Sequence, residues 1–302
     1  MKLIKPSFSI LPQSEGLEGI YKQIELAGRT CYKSEDKITE TSAKEFAERM
    51  IKLGHGAMLE HGTVYLAIPM TTYAPDAVNT YRDNAYSKVN DCNEFIFTDK
   101  YGDKVAAWCV TTNLRVLVEN DCLEDLEFLC EPTEYHERRY TVKFICDRGV
   151  SHEFVRHRVF SFAQESTRYC NYSKDKFGNE ITYILPCWMD DSQVGHHDAG
   201  DIINQAYNFL PIECNPGEYE EILFMDVMAK AEFNYNELIK KGWKAQEARA
   251  ILPNSLKTEL VMTGYISDWK HFFELRTSGA AHPQARELAL PLKEEFLTRG
   301  YI

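Results

Sequence analysis

The chain has 302 residues, 44% of them hydrophobic, and a formal net charge of −12. That size and apolar content can bury a substantial core, which excludes a disordered chain. The acidic balance excludes a general surface for nucleic acid or anionic membrane and leaves, at most, a locally basic cleft.

The N-terminal MKLIKPSFSILPQSEG is a short apolar patch broken by Pro and Ser, without a signal-peptide core, and no 18-residue apolar run occurs anywhere. Nine Cys residues, scattered from Cys31 to Cys214 with no C-x-x-C spacing, read as reduced thiols rather than a disulfide framework or a structural zinc site. The expectation is a soluble cytoplasmic protein. Residues 41–54 read as a helix: Ser42 and Glu45 are spaced for a capping box, Phe46, Met50 and Leu53 share a face, and Gly54 can close the end. His55 follows it. TVYLAIPM (63–70) and YTVKFICD (140–147) read as strands, and EFIFTDKYGDKVAAW as a hairpin with a Gly-containing turn.

Residues 150–170, VSHEFVRHRVFSFAQESTRYC, begin almost like a zinc-protease helix. That motif needs His at i and i+4, whereas His152 and His157 are five apart, a rotation of roughly 140° on a continuous helix. What remains is an arginine-flanked histidine, Arg156-His157-Arg158, followed by Ser161, Ser166 and Arg168, a set suited to anions. By itself R-H-R is weak evidence, and a solvated basic helix end is the preferred reading. A Ser-His nucleophile has no G-x-S-x-G setting and no acid to orient the imidazole. His55 and His61, six apart in GHGAMLEH with Glu60 between, match no zinc spacing, and a satisfied histidine at a helix-to-strand junction is the plainer account. Neither G-x-G-x-x-G nor a P-loop is present, so phosphates must be held by side chains.

CWMDDSQVGHHDAGD (187–201) reads as an exposed polar loop, with His196 and His197 in water. The last third reads as mainly helical: Phe224, Met228, Ala231, Tyr235 and Leu238 keep helical spacing up to Gly242. In SDWKHFFELR, Ser267 can cap a helix whose Trp269, Phe272, Phe273 and Arg276 fall at i, i+3, i+4 and i+7. On that helix alone a snorkelling Arg276 is preferred; the alternative is a charge held in an apolar pocket for a ligand. A last helix starts near Pro283 and is expected to bend at Pro291.

RHRVFSFAQESTRY resembles the R-H-R-x7-S signature of the flavin-dependent thymidylate synthases, with Arg156, His157, Arg158 and Ser166 in place. AGRTCYKS, GHGAMLEH, EARAILP and DWKHFFELRTSGAAHPQAR resemble further family segments in the same order. The resemblance covers residues 18–70, 140–175 and 235–290, and 71–139 reads as an insertion within a single catalytic domain, 1–302.

The resemblance implies an α+β subunit, an antiparallel sheet flanked by helices, assembled as a homotetramer with shared active sites. It implies conversion of dUMP to dTMP with FAD, NADPH and 5,10-methylenetetrahydrofolate. FAD contacts are implied for His55, Ala57, Glu60, Arg156, His157, Arg158, Val159, Gln164, Tyr265, Ser267 and His271. For dUMP they are implied for Glu153, Arg156, Gln164, Glu165, Ser166, Thr167, Arg168, Arg249 and Arg276. Arg276 is the catalytic candidate, a guanidinium laid against the uracil ring to stabilise developing negative charge. Four positions depart from the family: Ala57 stands where a polar residue is common, Tyr265 and Ser267 where Asn and Arg are found, and His271 where Asn is found. Tyr265 is then expected to stack on or cover an aromatic ring and His271 to replace an amide donor. Two other classes compete: a non-redox nucleotide hydrolase or transferase, and a nucleotide-sensing module that binds without turnover.

Overall fold

The alternation in YTVKFICD puts Val142, Phe144 and Cys146 on one face of an extended strand, and all three are fully buried. The computed structural model containing that strand describes residues 1–70, 73, 75–98, 101–174, 178–209 and 217–302. Asp99 and Lys100 of the expected hairpin turn, and Cys214, lie outside the described residues.

In chain order the strands are β1 (Lys2–Ile4), β2 (Ser7–Ile10), β3 (Thr63–Pro69), β4 (Lys88–Thr98), β5 (Lys104–Asn113), β6 (Arg139–Asp147), β7 (Ser161–Gln164), β8 (Thr182–Ile184), β9 (Gly195–His196) and β10 (Lys257–Tyr265). The helices are α1 (Gly16–Tyr32), α2 (Ser42–Lys52), α3 (Gly56–Leu59), α4 (Asn79–Arg82), α5 (Leu114–Glu119), α6 (Arg148–Phe154), α7 (Ala199–Phe209), α8 (Glu218–Lys240), α9 (Ala245–Ala248), α10 (Ile266–Arg276) and α11 (Pro283–Thr298). The class is α+β with antiparallel sheet as expected, but among the described residues the strands form three sheets, ordered β2-β6-β10-β7, β3-β5-β4 and β8-β1-β9. Every pairing among the described residues is antiparallel except that of β1 with β8.

The largest correction concerns β10. Its nine residues KTELVMTGY lie inside the stretch read as helical, yet they form the centre of the β2-β6-β10-β7 sheet. Helices cover both faces of this strand and all but its first residue are buried, so its sequence is a continuous run without the alternation that marks a half-exposed strand. One face packs Leu260 and Met262 with β6, α10 and α11, around Trp269, Phe272, Phe273, Leu288 and Phe296. Gly264 is required there, because a Cβ would stand 2.5 Å from the Phe160 ring. On the other face Val261 and Ala163 pack against Ala27 and Cys31 of α1.

The hairpin is β4 and β5, with Gly102 at φ +90° in the connection. These strands belong to segment 71–139, and β3, which precedes it, completes their sheet through seven paired residues. Helix α2 ends as expected, with Gly54 at φ +67°, but Leu53 is 56% exposed and off the core face. Its start lacks the capping box: Ser42 Oγ donates to Glu25 Oε2 at 2.8 Å, drawn away by a tertiary partner. Ser267 does not cap α10 either; Asp268 accepts from the Tyr265 N–H at 3.0 Å and Ser267 is the second residue of the helix. Pro283 does open α11, and Pro291 lies inside it. The 187–201 stretch is more ordered than a loop, containing β9 and the start of α7. His197 there is half-buried with Nε2 on the Gln193 carbonyl, while His196 is exposed as expected. No helix among the described residues is long and apolar enough to cross a membrane.

Candidate active site

The Asp147 carboxylate caps α6 by accepting from the Val150 N–H at 2.6 Å, and the helix stops at Phe154 after two turns. Arg156, His157 and Arg158 therefore lie in the turn beyond it. His152 and His157 do not share a helix, so their separation comes from the chain leaving α6 rather than from helical rotation; His152 is exposed and His157 buried. No group of three potential metal-ligating side chains is found among the described residues.

His157 meets Arg276. The apolar stripe of α10 buries Trp269, Phe272 and Phe273, which anchors the helix and directs Arg276 from its last turn across to the R-H-R turn. Its Nε donates to His157 Nε2 at 2.9 Å, Nη1 to Glu153 Oε2 at 2.5 Å and Nη2 to the Glu153 carbonyl at 2.7 Å. A guanidinium held at 14% exposure by three acceptors is not snorkelling into water. His157 must be neutral at Nε2 to accept that proton. Burial, and then the charges of Arg276, His271 and Arg156, push its pKa down to about 4. Glu153 also lines a cavity of about 270 Å³ with Asp147, Trp188, Asn254, Ser255 and His282.

The flanking residues turn outward. Arg156, Arg158 and Val159 are exposed, and among the described residues neither arginine makes an ion pair. His55, directly after the turn closing α2, and Ala57 on α3 are exposed, as is His271. His61 is not the satisfied junction histidine of the plain reading. Nδ1 meets Thr263 Oγ1 at 2.8 Å, but Nε2 is buried with no partner among the described residues.

The second half of the motif turns inward. After β7, Ser166 donates its N–H to the Cys31 carbonyl at the end of α1 and accepts from the Arg168 N–H at its Oγ. Thr167 is buried and its Oγ1 accepts from Arg249 Nη1 at 3.1 Å, while exposed Arg168 donates to Gln246 at 3.3 Å. Gln164 donates to Ser151 at 2.8 Å and to Thr258 at 3.2 Å. Glu165 is 1% exposed and accepts from Lys257 at 2.8 Å and Tyr172 at 3.2 Å. Behind it Glu259 receives Lys257 at 2.6 Å and Lys33 at 2.7 Å, and Lys143 as well. Burial alone would raise the Glu259 pKa, but the lysines outweigh it and hold the carboxyl well below its usual range. The sequence reading missed Lys257 and Glu259 because it missed β10, whose start, Lys257-Thr258-Glu259, offers no alternation to mark it as a strand.

Three of the residues implied as flavin contacts are held instead by segment 71–139. Glu60 pairs with Arg115 at 2.5 Å. Tyr265 is not an exposed ring: it is buried, and its hydroxyl approaches the Tyr86 carbonyl at 2.9 Å and the Thr111 carbonyl at 2.8 Å. Ser267 Oγ accepts from Lys88 at 2.9 Å, and its N–H donates to Glu137 at 3.1 Å.

The profile of the family described as thymidylate synthase complementing protein matches residues 133–299, more than half of the chain. Proteins named flavin-dependent thymidylate synthase are similar in sequence. That of Pyrococcus furiosus is 30% identical over 157 residues, 52% of this chain and 53% of its own length. That of Mycobacterium tuberculosis is 31% identical over 143 residues (47% and 51%), and that of Corynebacterium aurimucosum 33% over 144 (47% and 51%). The chain thus spans about half the length of the curated relatives it matches. A solved structure of a UMP/dUMP methylase, PolB from Streptomyces cacaoi bound with 5-Br dUMP, aligns with a TM-score of 0.40 at 15% identity, over 99% of this chain and 93% of that one. On the match to residues 133–299, which spans the R-H-R turn, the Q-E-S-T-R loop and Arg276, the chain belongs to the thymidylate synthase complementing protein family.

Proposed function

We propose that the chain is a flavin-dependent thymidylate synthase, an enzyme that methylates dUMP to dTMP reductively with FAD, NADPH and 5,10-methylenetetrahydrofolate. The observation that carries the reading is Arg276, a guanidinium withdrawn from water at the end of an apolar stripe and set on a neutral histidine of the R-H-R turn. The curated relatives have this activity in their name.

The residues fit a bound flavin along one side. Arg156 and Arg158 offer two exposed guanidiniums to the anionic dinucleotide, beside Val159, and His55, Ala57 and His271 are open to it. Glu60, Tyr265 and Ser267 fit it less well, being engaged by segment 71–139. The flavin, when bound, supplies the hydride. The chain's own residues bind and align. Ser166, Arg168 and Arg249 hold the nucleotide's phosphate and sugar; Gln164, Glu165 and Thr167 position their loop. Arg276 stabilises negative charge on the pyrimidine, a contribution of about 3 to 4 kcal/mol for one such donor. Both Nη groups of Arg276 are taken by Glu153, which is 31% exposed, so substrate reaches the fork as Glu153 shifts or shares it. The unit is a single catalytic domain with 71–139 inserted, cytoplasmic, and a homotetramer with shared sites. Exposed Leu223, Val227 and Phe233 on α8 support self-association.

The deciding assay supplies purified full-length chain with FAD, NADPH, methylenetetrahydrofolate and dUMP and follows dTMP. Formation of dTMP that requires all three co-reactants is expected. A protein that stays colourless with FAD and forms none would overturn the proposal, and dUMP binding without turnover under the same conditions would favour a sensor.

A further inference from the structure

Arg139 opens β6 and is 9% exposed, so its charge is out of water. Buried charges are ordinarily paired, because an isolated one loses its hydration without compensation. Arg139 makes no ion pair among the described residues. Nη1 donates to the Glu60 carbonyl at 3.1 Å and to Thr63 Oγ1 at 3.3 Å, Nη2 donates to Ser161 Oγ at 3.3 Å, and Nε is buried with no partner. All three acceptors are neutral. The acids on the flanking turns are engaged elsewhere, Glu137 by Lys88 at 2.6 Å and Asp268 by the Tyr265 N–H at 3.0 Å.

The same residue lines a cavity of about 290 Å³, whose wall also includes Arg138, Thr63, Tyr65, the carboxylates of Glu15 and Glu131, and Gly16 at the start of α1. Arg138 is exposed and makes no ion pair among the described residues; its Nη2 rests on the Pro132 carbonyl at 3.2 Å. Tyr65 accepts the Arg139 N–H at 3.1 Å, which leaves its own hydroxyl proton to donate. Helix α1 starts at the cavity wall with no side-chain cap, so its first N–H groups add positive potential to the two arginines. The far end of α1 is where Cys31 receives the Q-E-S-T-R loop. Seventeen residues of helix separate the two ends by about 25 Å.

We propose that this cavity is a second anion site, distinct from the candidate active site, which takes a small ligand bearing a phosphate or carboxylate group against Arg139 and Arg138.

The test uses the full chain with Arg168 and Arg249 both changed to Ala, which removes the nucleotide loop's own grip on phosphate. Radiolabelled inorganic phosphate, with acetate as the carboxylate probe in competition, is measured by equilibrium dialysis at constant ionic strength. One saturable phosphate site per chain is expected. Adding Arg139→Gln weakens it about tenfold or more, because a charge-assisted donor set is replaced by a neutral amide. Acetate that displaces phosphate identifies the shared oxyanion chemistry. No saturable site, or a site unchanged by Arg139→Gln, overturns the proposal. Should Arg139→Gln fail to fold, Arg138→Ala at the exposed wall decides, with about threefold weakening expected and unchanged binding against it.

Discussion

Arg156 and Arg158 reach solvent and make no ion pair among the described residues, whereas Glu165 and Thr167, a few residues on, are buried and already engaged by Lys257, Tyr172 and Arg249. One motif therefore divides: in R-H-R two arginines face outward around a buried histidine, while in Q-E-S-T-R buried Glu165 and Thr167 hold in place a loop whose Arg168 is exposed. The difference teaches that a contiguous signature does not translate into a contiguous contact list. R-H-R follows a short helix and has free directions to face, while Q-E-S-T-R follows a strand edge and must dock onto β10 and α1.

The strongest test of that division is Glu165→Ala. Removing a buried carboxylate from Lys257 is expected to cost about 3 to 5 kcal/mol of folding stability, read by denaturant unfolding. A folded, stable variant with only a binding defect would collapse the distinction. Arg276→Ala is expected to do the reverse: turnover falls by about a hundredfold or more with the unfolding midpoint little changed, since Glu153 is partly exposed and can hydrate. Equal losses in both measurements would make Arg276 a structural residue. Arg156→Ala combined with Arg158→Ala is expected to weaken FAD binding about tenfold, measured by flavin fluorescence, without altering stability. Smallest is Gln246→Ala, which removes an exposed partner of Arg168 and should shift stability by no more than about 0.5 kcal/mol.

The His157–Arg276 contact adds a pH dependence. His157 is depressed to about 4 and buried His61 to about 3, against an ordinary value of 6.5. Between those limits the unfolded chain binds protons that the folded chain refuses, so stability is complete above pH 6.5 and is lost as pH falls toward 4. His157→Gln keeps an acceptor for Arg276 and should make the acid slope shallower; an unchanged slope would place the titration elsewhere.

Much of this was legible in the chain alone. Period and punctuation marked α2, β3, β6, α10 and α11, and R-H-R-x7-S marked the candidate site, because these rest on spacing within one segment. The stripe on α10 showed that Arg276 ends an apolar face but not where the guanidinium goes. Glu153 and His157, more than a hundred residues away, decide that. β10 was hidden because a strand covered on both faces loses its alternation. Ser42 and Ser267 were misread for a shared reason: each had a sound local capping role in sequence and a different partner in space.

The sequence by itself determined the family signature, the α+β class and the positions of most elements, since those follow from patterns a few residues long. Only the tertiary structure decided which signature residues face outward, which carboxylate holds Arg276, and that segment 71–139 docks onto Tyr265 and Ser267. Those outcomes depend on hydrogen bonds between segments that only the folded sheet brings together.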